Sequence, residues 1–210
     1  MRVFIGIVLV VLASQANADW TPFTLPQPIG YELALVDSDP VESSSIVTAD
    51  PHKKGSWSHQ AYGSFSSGSR GSEIWLAHAG ASYFFVDNQS IGMELVGGAF
   101  DGSGGTSGRP GNDGGAYGVD LIWRWYFQHH ERCSLFTELG AGAVHFTDKF
   151  PAGGTHTNFS PQLGLGAVID VNRDADLMCG VRWQHVSNAD RDSNPGYDAV
   201  MIYLGLICHQ

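Results

Sequence analysis

The chain has 210 residues, with 21 acidic against 11 basic side chains and a formal charge of −10. That balance excludes nucleic acid as a partner, because binding a phosphate backbone needs a basic surface. Hydrophobic residues are 43% of the chain, yet no segment supplies the roughly 20 apolar residues of a spanning helix, which excludes a helical membrane protein.

The first residues read as a secretory signal over 1–18: Met1 and Arg2 form a short positive region, Val3 to Ala13 an apolar run, and Ala16-Asn17-Ala18 a small-x-small cleavage site. Residues 19–55 carry Pro22, Pro26, Pro28, Pro40, Pro51 and the run Ser43-Ser44-Ser45, with no sustained period of either kind. A disordered N-terminal extension is expected there.

From Ser56 the character changes. Seven segments of about ten residues follow, the length of a tilted membrane strand: Ile74 to Phe85, Ser90 to Phe100, Tyr117 to Gln128, Ser134 to Phe146, Phe159 to Val171, Met178 to Ser187 and Asp198 to Cys208. Turn chemistry separates them at Asp87-Asn88, His129 to Arg132, Asn172 to Asp174 and the Gly-rich Asp101 to Gly115. Each segment alternates. Val119, Leu121, Trp123, Trp125 and Phe127 share one face, against Asp120, Ile122, Arg124 and Tyr126 on the other; Phe159, Pro161, Leu163, Leu165, Ala167 and Ile169 share one face of a later segment.

Soluble sandwiches alternate too, so the position of charge decides. Glu94, Asp120, Arg124, Glu138 and Arg182 all fall inside strands opposite the apolar stripe, where a narrow barrel can pair them in its lumen. Bacterial single-chain barrels use an even number of strands, and Trp57 to Phe65 supplies the eighth. The expected fold is all-β: an eight-stranded antiparallel transmembrane β-barrel over residues 56–210, in a bacterial outer membrane. Short turns after Phe85, Gln128 and Val171 alternate with longer loops after Phe100, Phe146 and Ser187, as for periplasmic turns and exterior loops.

The same parity applied to the last two strands gives a chemical constellation. His185 and Ser187 share the lipid-facing side of one strand and Asp198 that of the next, close to the loop between them. Paired directly, His185 and Asp198 would have Cβ atoms about 4.5–5.5 Å apart. A serine hydroxyl needs an imidazole to take its proton, and the imidazole needs a carboxylate to hold its tautomer, so the three residues suit nucleophile, base and orienter.

The string His185-Val186-Ser187-Asn188-Ala189, with Asn194-x-Gly196 and an acid two residues on, resembles the active-site region of the PagL-type lipid A 3-O-deacylases, outer-membrane esterases on an eight-stranded barrel. The resemblance extends back through Leu135 to Gly142 and Asn158 to Gly166, covering about the last 75 residues. It implies Ser187 as nucleophile, His185 as general base and Asp198 in the position of the triad acid, where family members usually carry Glu. Asp190 and Asp192 stand as outside candidates for that acid. By the same resemblance Asn194 helps form the oxyanion hole, and Asn188 holds the loop.

The implied activity is hydrolysis of the ester-linked 3-hydroxyacyl chain at the 3 position of lipid A, with lipopolysaccharide and outer-membrane lipid as partners. A homo-oligomer is left open. The alternative reading is a catalytically silent barrel serving a structural, adhesive or narrow-pore role, with a soluble secreted hydrolase behind it.

No cofactor and no metal are expected. His52, His59, His78, His129, His130, His145, His156 and His209 show no metal-ligand spacing along the chain, and Cys133, Cys179 and Cys208 match no metal motif. Gly102, Gly104, Gly105 and Gly108 lack the strand-to-helix context of a phosphate loop. Trp75, Trp123, Trp125 and Trp183 are expected on the lipid-facing wall.

Overall fold

The computed structural model describes residues 51–68, 71–102, 113–130, 132–172, 175–189 and 195–209. The signal segment 1–18, most of the 19–55 extension, and Asp190, Asp192 and Asn194 therefore lie outside the described residues. Eight strands follow in chain order: β1 Trp57–Gly68, β2 Glu73–Val86, β3 Gln89–Asp101, β4 Asp113–His130, β5 Cys133–Phe150, β6 Thr155–Ile169, β7 Asp176–Val186 and β8 Tyr197–His209. Each pairs antiparallel with its neighbours, and β8 returns to β1 to close the barrel. Closure removes both sheet edges, which a sheet surrounded by lipid cannot leave unpaired.

The alternating residues divide as the sequence pattern requires. Leu121, Trp125, Phe127, Leu163, Leu165, Trp183, Ile202 and Leu204 stand exposed on the outer wall, while Asp120, Ile122, Arg124, Tyr126, Ser160 and Gln162 are buried inside. Trp75, Trp125 and Trp183 are outward as expected, and Trp123 is partly covered there.

One end of the barrel carries tight connections: Asp87-Asn88 joins β2 to β3, and residues 131–132 join β4 to β5. We call it the turn end and the opposite one the loop end. Ahead of β1, Pro51 to Gly55 folds as turns against the turn end. His52 O accepts from the Asn88 amide at 2.8 Å, the Gly55 amide donates to Phe84 O at 2.7 Å, and the buried His52 ring stacks on Tyr126 at 4.1 Å. The Lys54 amide donates to Asp87 Oδ1 at 2.8 Å, which with Lys53 holds that carboxyl below the usual carboxylate range.

At the loop end one connection is shorter than the sequence implies. The loop expected after Phe146 is largely strand: β5 runs to Phe150 through a register irregularity, and Pro151 to Gly154 is all that separates it from β6. Aromatic packing accounts for the difference. Phe146 and Phe150 turn inward with ring centroids 4.6 Å apart, against Phe100 and Tyr197.

Inside the barrel, two apolar clusters sandwich a charged band. Ile74, Phe100, Phe146, Phe150 and Tyr197 fill the loop end; Phe84, Tyr126, Phe136, Met178 and Ile207 fill the turn end. Between them Arg124 donates to Glu94 Oε1 at 2.8 Å and to Glu138 Oε2 at 3.0 Å, and Arg182 donates to Glu138 Oε1 and Gln162 Oε1, each at 2.8 Å. Tyr62 donates to Glu94 and Tyr203 to Glu138. A lumen filled this way is a packed core.

Removing one member of a buried ion network strands its partner at a cost of about 3–5 kcal/mol. Glu138 accepts from both arginines, so we expect Glu138→Gln to lower the unfolding free energy by about that much in detergent. Urea titration followed by heat-modifiable gel migration measures it, and an unchanged midpoint would show that the band contributes little.

Candidate active site

Two inward anchors fix the parity of the strand ends that meet at the loop end. Val186 and Tyr197 are register partners, both buried. Tyr197 packs edge-on to Phe150 at 4.9 Å and its hydroxyl donates to Ser72 O at 3.0 Å. With these two turned into the core, their neighbours His185, Ser187 and Asp198 must face out.

Register then sets the pair. His185 stands directly opposite Asp198, and His185 Nδ1 lies 2.9 Å from Asp198 Oδ1. The carboxylate oxygen can only accept, so the imidazole donates from Nδ1, and in the neutral ring Nε2 is left as a lone-pair acceptor. Their side chains are 32% and 59% exposed. An ion pair so open to solvent contributes about 0–1 kcal/mol to stability, so its consequence is orientation of the ring. Asp is a methylene shorter than Glu, but the direct cross-strand register removes the need for the longer reach.

Two neighbours flank the imidazole. Trp183 lies nearly parallel to it, with planes 20° apart and centroids at 6.1 Å. On the other side, a Cβ at Gly196 would sit 3.4 Å from His185 Cε1 and 4.0 Å from Nε2, and Gly196 has φ of +59°. Glycine is favoured there by the left-handed backbone; an added Cβ would only touch the ring.

Ser187 is placed by β6. Beyond the β7–β8 ladder it forms an isolated bridge to Phe159, donating its amide to Phe159 O at 3.0 Å and accepting from the Phe159 amide at 2.7 Å. Its side chain follows His185 by two residues on the same face, about 7 Å along the strand. Among the described residues no side-chain hydrogen bond joins Ser187 to His185. The structure brings His185 and Asp198 together, and sets Ser187 beside them without closing the last link. Such links are often long before substrate binds.

The bridge to Phe159 has a chemical corollary. The Ser187 amide is already committed, so it cannot also donate to an oxyanion developing at its own hydroxyl. Any backbone donor must come from further along the loop, where Ala189 takes a left-handed φ of 57°. A non-glycine residue there costs on the order of 1 kcal/mol, and strain of this kind gathers at functional sites. Asn188, on the inward parity, is buried at 3% exposure. Sequence reasoning missed Phe159 as a neighbour of the site, while Gly196 stood in the motif and Trp183 on the lipid-facing stripe that carries His185. Only the parity of Phe159, on a lipid-facing stripe, hinted at it.

Comparison with known proteins follows the geometry. A family model described as lipid A 3-O-deacylase (PagL) matches residues 77–206. A search of curated proteins finds no match. Among solved structures, that of the outer membrane enzyme PagL aligns with a TM-score of 0.53 at 15% identity, covering 70% of this chain and 97% of that one. Neisserial surface protein A gives 0.52 at 13% identity, over 73% and 95%. The N-terminal barrel of Pseudomonas aeruginosa OprF gives 0.50 at 12%, over 75% and 98%. At these identities the likeness is one of fold.

We expect Gly196→Ala to shift the turn beside the imidazole, through its left-handed backbone, while leaving the barrel folded. Forcing a left-handed Cβ costs roughly 1–2 kcal/mol, a small loss for the whole domain. The His185 ring ¹⁵N shifts should change with unaltered heat-modifiable migration; retention of the wild-type shifts would show the contact to be slack.

Proposed function

The chain belongs to the lipid A 3-O-deacylase (PagL) family, and we propose on that footing that it is an outer-membrane hydrolase that removes the ester-linked 3-hydroxyacyl chain from the 3 position of lipid A. The observation that carries the reading is the 2.9 Å contact of His185 Nδ1 with Asp198, out on the wall with Ser187 next along the strand. In this reading His185 Nε2 takes the Ser187 proton, Ser187 Oγ attacks the acyl carbonyl, and Asp198 stabilises the imidazolium. The imidazolium then returns its proton to the departing sugar 3-oxygen. Water, activated by the same ring, hydrolyses the acyl-enzyme and frees the hydroxy fatty acid.

Placement on the outer wall suits this substrate. The acyl chains of lipid A lie parallel to the barrel in the outer leaflet, and the scissile ester sits near the headgroup boundary. His185, Ser187 and Asp198 lie at the strand ends nearest the loops, above a wall whose Trp183, Val200, Ile202 and Leu204 are exposed to hydrocarbon. The Asn194 side chain, with loop amides beyond Ser187, is our candidate for stabilising the tetrahedral oxyanion; one such donor matters by about 10²–10³ in rate. Asn188 supports the loop from the lumen side. The bilayer and lipopolysaccharide are the partners this reading requires.

Expressed in a cell with normal lipopolysaccharide, the protein should convert lipid A to a form lighter by one hydroxyacyl group, read by mass spectrometry, and Ser187→Ala should not. In vitro, Ser187→Ala and His185→Ala are each expected to lose at least about 10³-fold in kcat, with the double variant no worse than either single one, because members of one catalytic unit are not additive. Asp198→Ala should lose about 10⁴-fold. Identical lipid A spectra from wild type and Ser187→Ala, with both proteins folded, would remove the enzyme reading and leave the silent barrel.

A further inference from the structure

One lumenal carboxylate has no counter-ion in the band that pairs the others, only Gln162 beside it. Between the two apolar clusters stand three carboxylates, Glu94, Asp120 and Glu138, and two guanidinium groups, Arg124 and Arg182. Glu94 and Glu138 are bonded to the arginines; Asp120 has no ion pair among the described residues and its Oδ1 has no hydrogen-bond partner. An ionised Asp120 would give the band one excess negative charge inside a sealed interior, which is costly unless it is compensated.

What faces Asp120 is a set of metal-ligand atoms. His78, Glu94 and Asp120 come from three adjacent strands, β2, β3 and β4, and each offers one ligand atom such that all lie within 4.8 Å of one another. All three side chains are at least 98% buried. His78 Nδ1, 3.7 Å from Glu94 Oε2, has no hydrogen-bond partner either. The other nitrogen, Nε2, is hydrogen-bonded to Ser64 Oγ at 2.9 Å, and the ring stacks on Tyr62 at 4.2 Å with planes 10° apart. When Nε2–H donates to Ser64, the Nδ1 lone pair points at the two carboxylates. An outer partner of this kind on the far ring nitrogen is what fixes metal-binding histidines. Gly142, facing Asp120, leaves the room: a Cβ there would collide with Asp120 Oδ1.

We propose that His78 Nδ1, Glu94 Oε2 and Asp120 Oδ1 form a buried site for a divalent transition-metal ion of the zinc class. One imidazole and two carboxylates is a donor set zinc accepts, at about 2.0–2.2 Å from each atom. Ligands of a tetrahedral ion stand about 3.3 Å apart at those lengths, so closing from at most 4.8 Å takes side-chain shifts of about 1 Å. The ion would compensate an ionised Asp120, with the arginines bonded to other oxygens: Arg124 holds Glu94 through Oε1, leaving Oε2 to Tyr62 and the metal. Apolar clusters seal both ends, so the ion enters as the barrel folds and is retained afterwards. The role is structural, tying three strands together inside the wall, and it is independent of the chemistry proposed outside it. The expectation that no metal binds rested on spacing along the chain, where His78, Glu94 and Asp120 are too far apart to signal anything.

The test is refolding of the full chain. Protein stripped with chelator in urea is refolded into detergent with zinc, with magnesium or with neither, desalted, and analysed by native mass spectrometry and by its urea midpoint. One zinc retained per chain and a raised midpoint are expected with zinc only. Ser64→Ala should weaken retention by about 10–100-fold, and the double variant His78→Gln with Asp120→Asn should abolish it. Wild-type protein that retains no zinc, an equal shift with magnesium, or zinc retained by the double variant would each overturn the proposal. The wild-type measurement decides by itself should the variants fail to fold.

Discussion

The structure depends on one constraint: a closed antiparallel barrel has two faces and a two-residue repeat, so every side chain is committed to hydrocarbon or to the lumen by its parity alone. In a bilayer this commitment is enforced at both surfaces. A guanidinium turned outward would meet lipid, and a tryptophan turned inward would displace the ion network. The pairing of Arg124 and Arg182 with Glu94 and Glu138, and the exposure of Leu163, Leu165 and Trp183, are two results of the same choice. Slipping one strand by a residue would exchange all of that strand's inward and outward side chains at once.

That commitment also explains the location of the site. His185, Ser187 and Asp198 are polar residues on the face that otherwise repels them, and they are tolerated because they stand at strand ends by the loops. Anchoring comes from behind, through the buried pair Val186 and Tyr197. The core thus serves the surface: each inward aromatic at the loop end, Phe150 against Tyr197 above all, holds the register that brings an imidazole opposite a carboxylate. The exposed pair adds little stability and so constrains little else.

Much of this was legible in the sequence because period two is read directly from residue order. Eight strands, their lipid faces, the inward charges and the outward His185, Ser187 and Asp198 followed from alternation and turn chemistry. What was not legible depends on partners far apart in the chain. The extension of β5 to Phe150 follows from rings contributed by β3 and β8. The clamp on Ser187 comes from Phe159, 28 residues earlier, and becomes visible only when β6 and β7 are laid side by side. His78, Glu94 and Asp120 look unrelated until three hairpin strands bring them level.

The two polar constellations differ in how they meet the cost of burial, and the difference separates their roles. Inside the wall, groups with no access to water must be balanced by fixed counter-charges, so the band is rigid and its one unbalanced carboxylate stands out. At the outer rim, solvent reaches the imidazole and carboxylate, whose side chains are 32% and 59% exposed. A catalytic imidazole has to gain a proton and give it up within a turnover, which a sealed lumen would oppose through the energy of stranding charge. The rim allows it, since water screens each change as it happens. The barrel therefore keeps its paired charges inside the wall, and the proton transfer proposed for His185 would take place at the rim, where water can screen it.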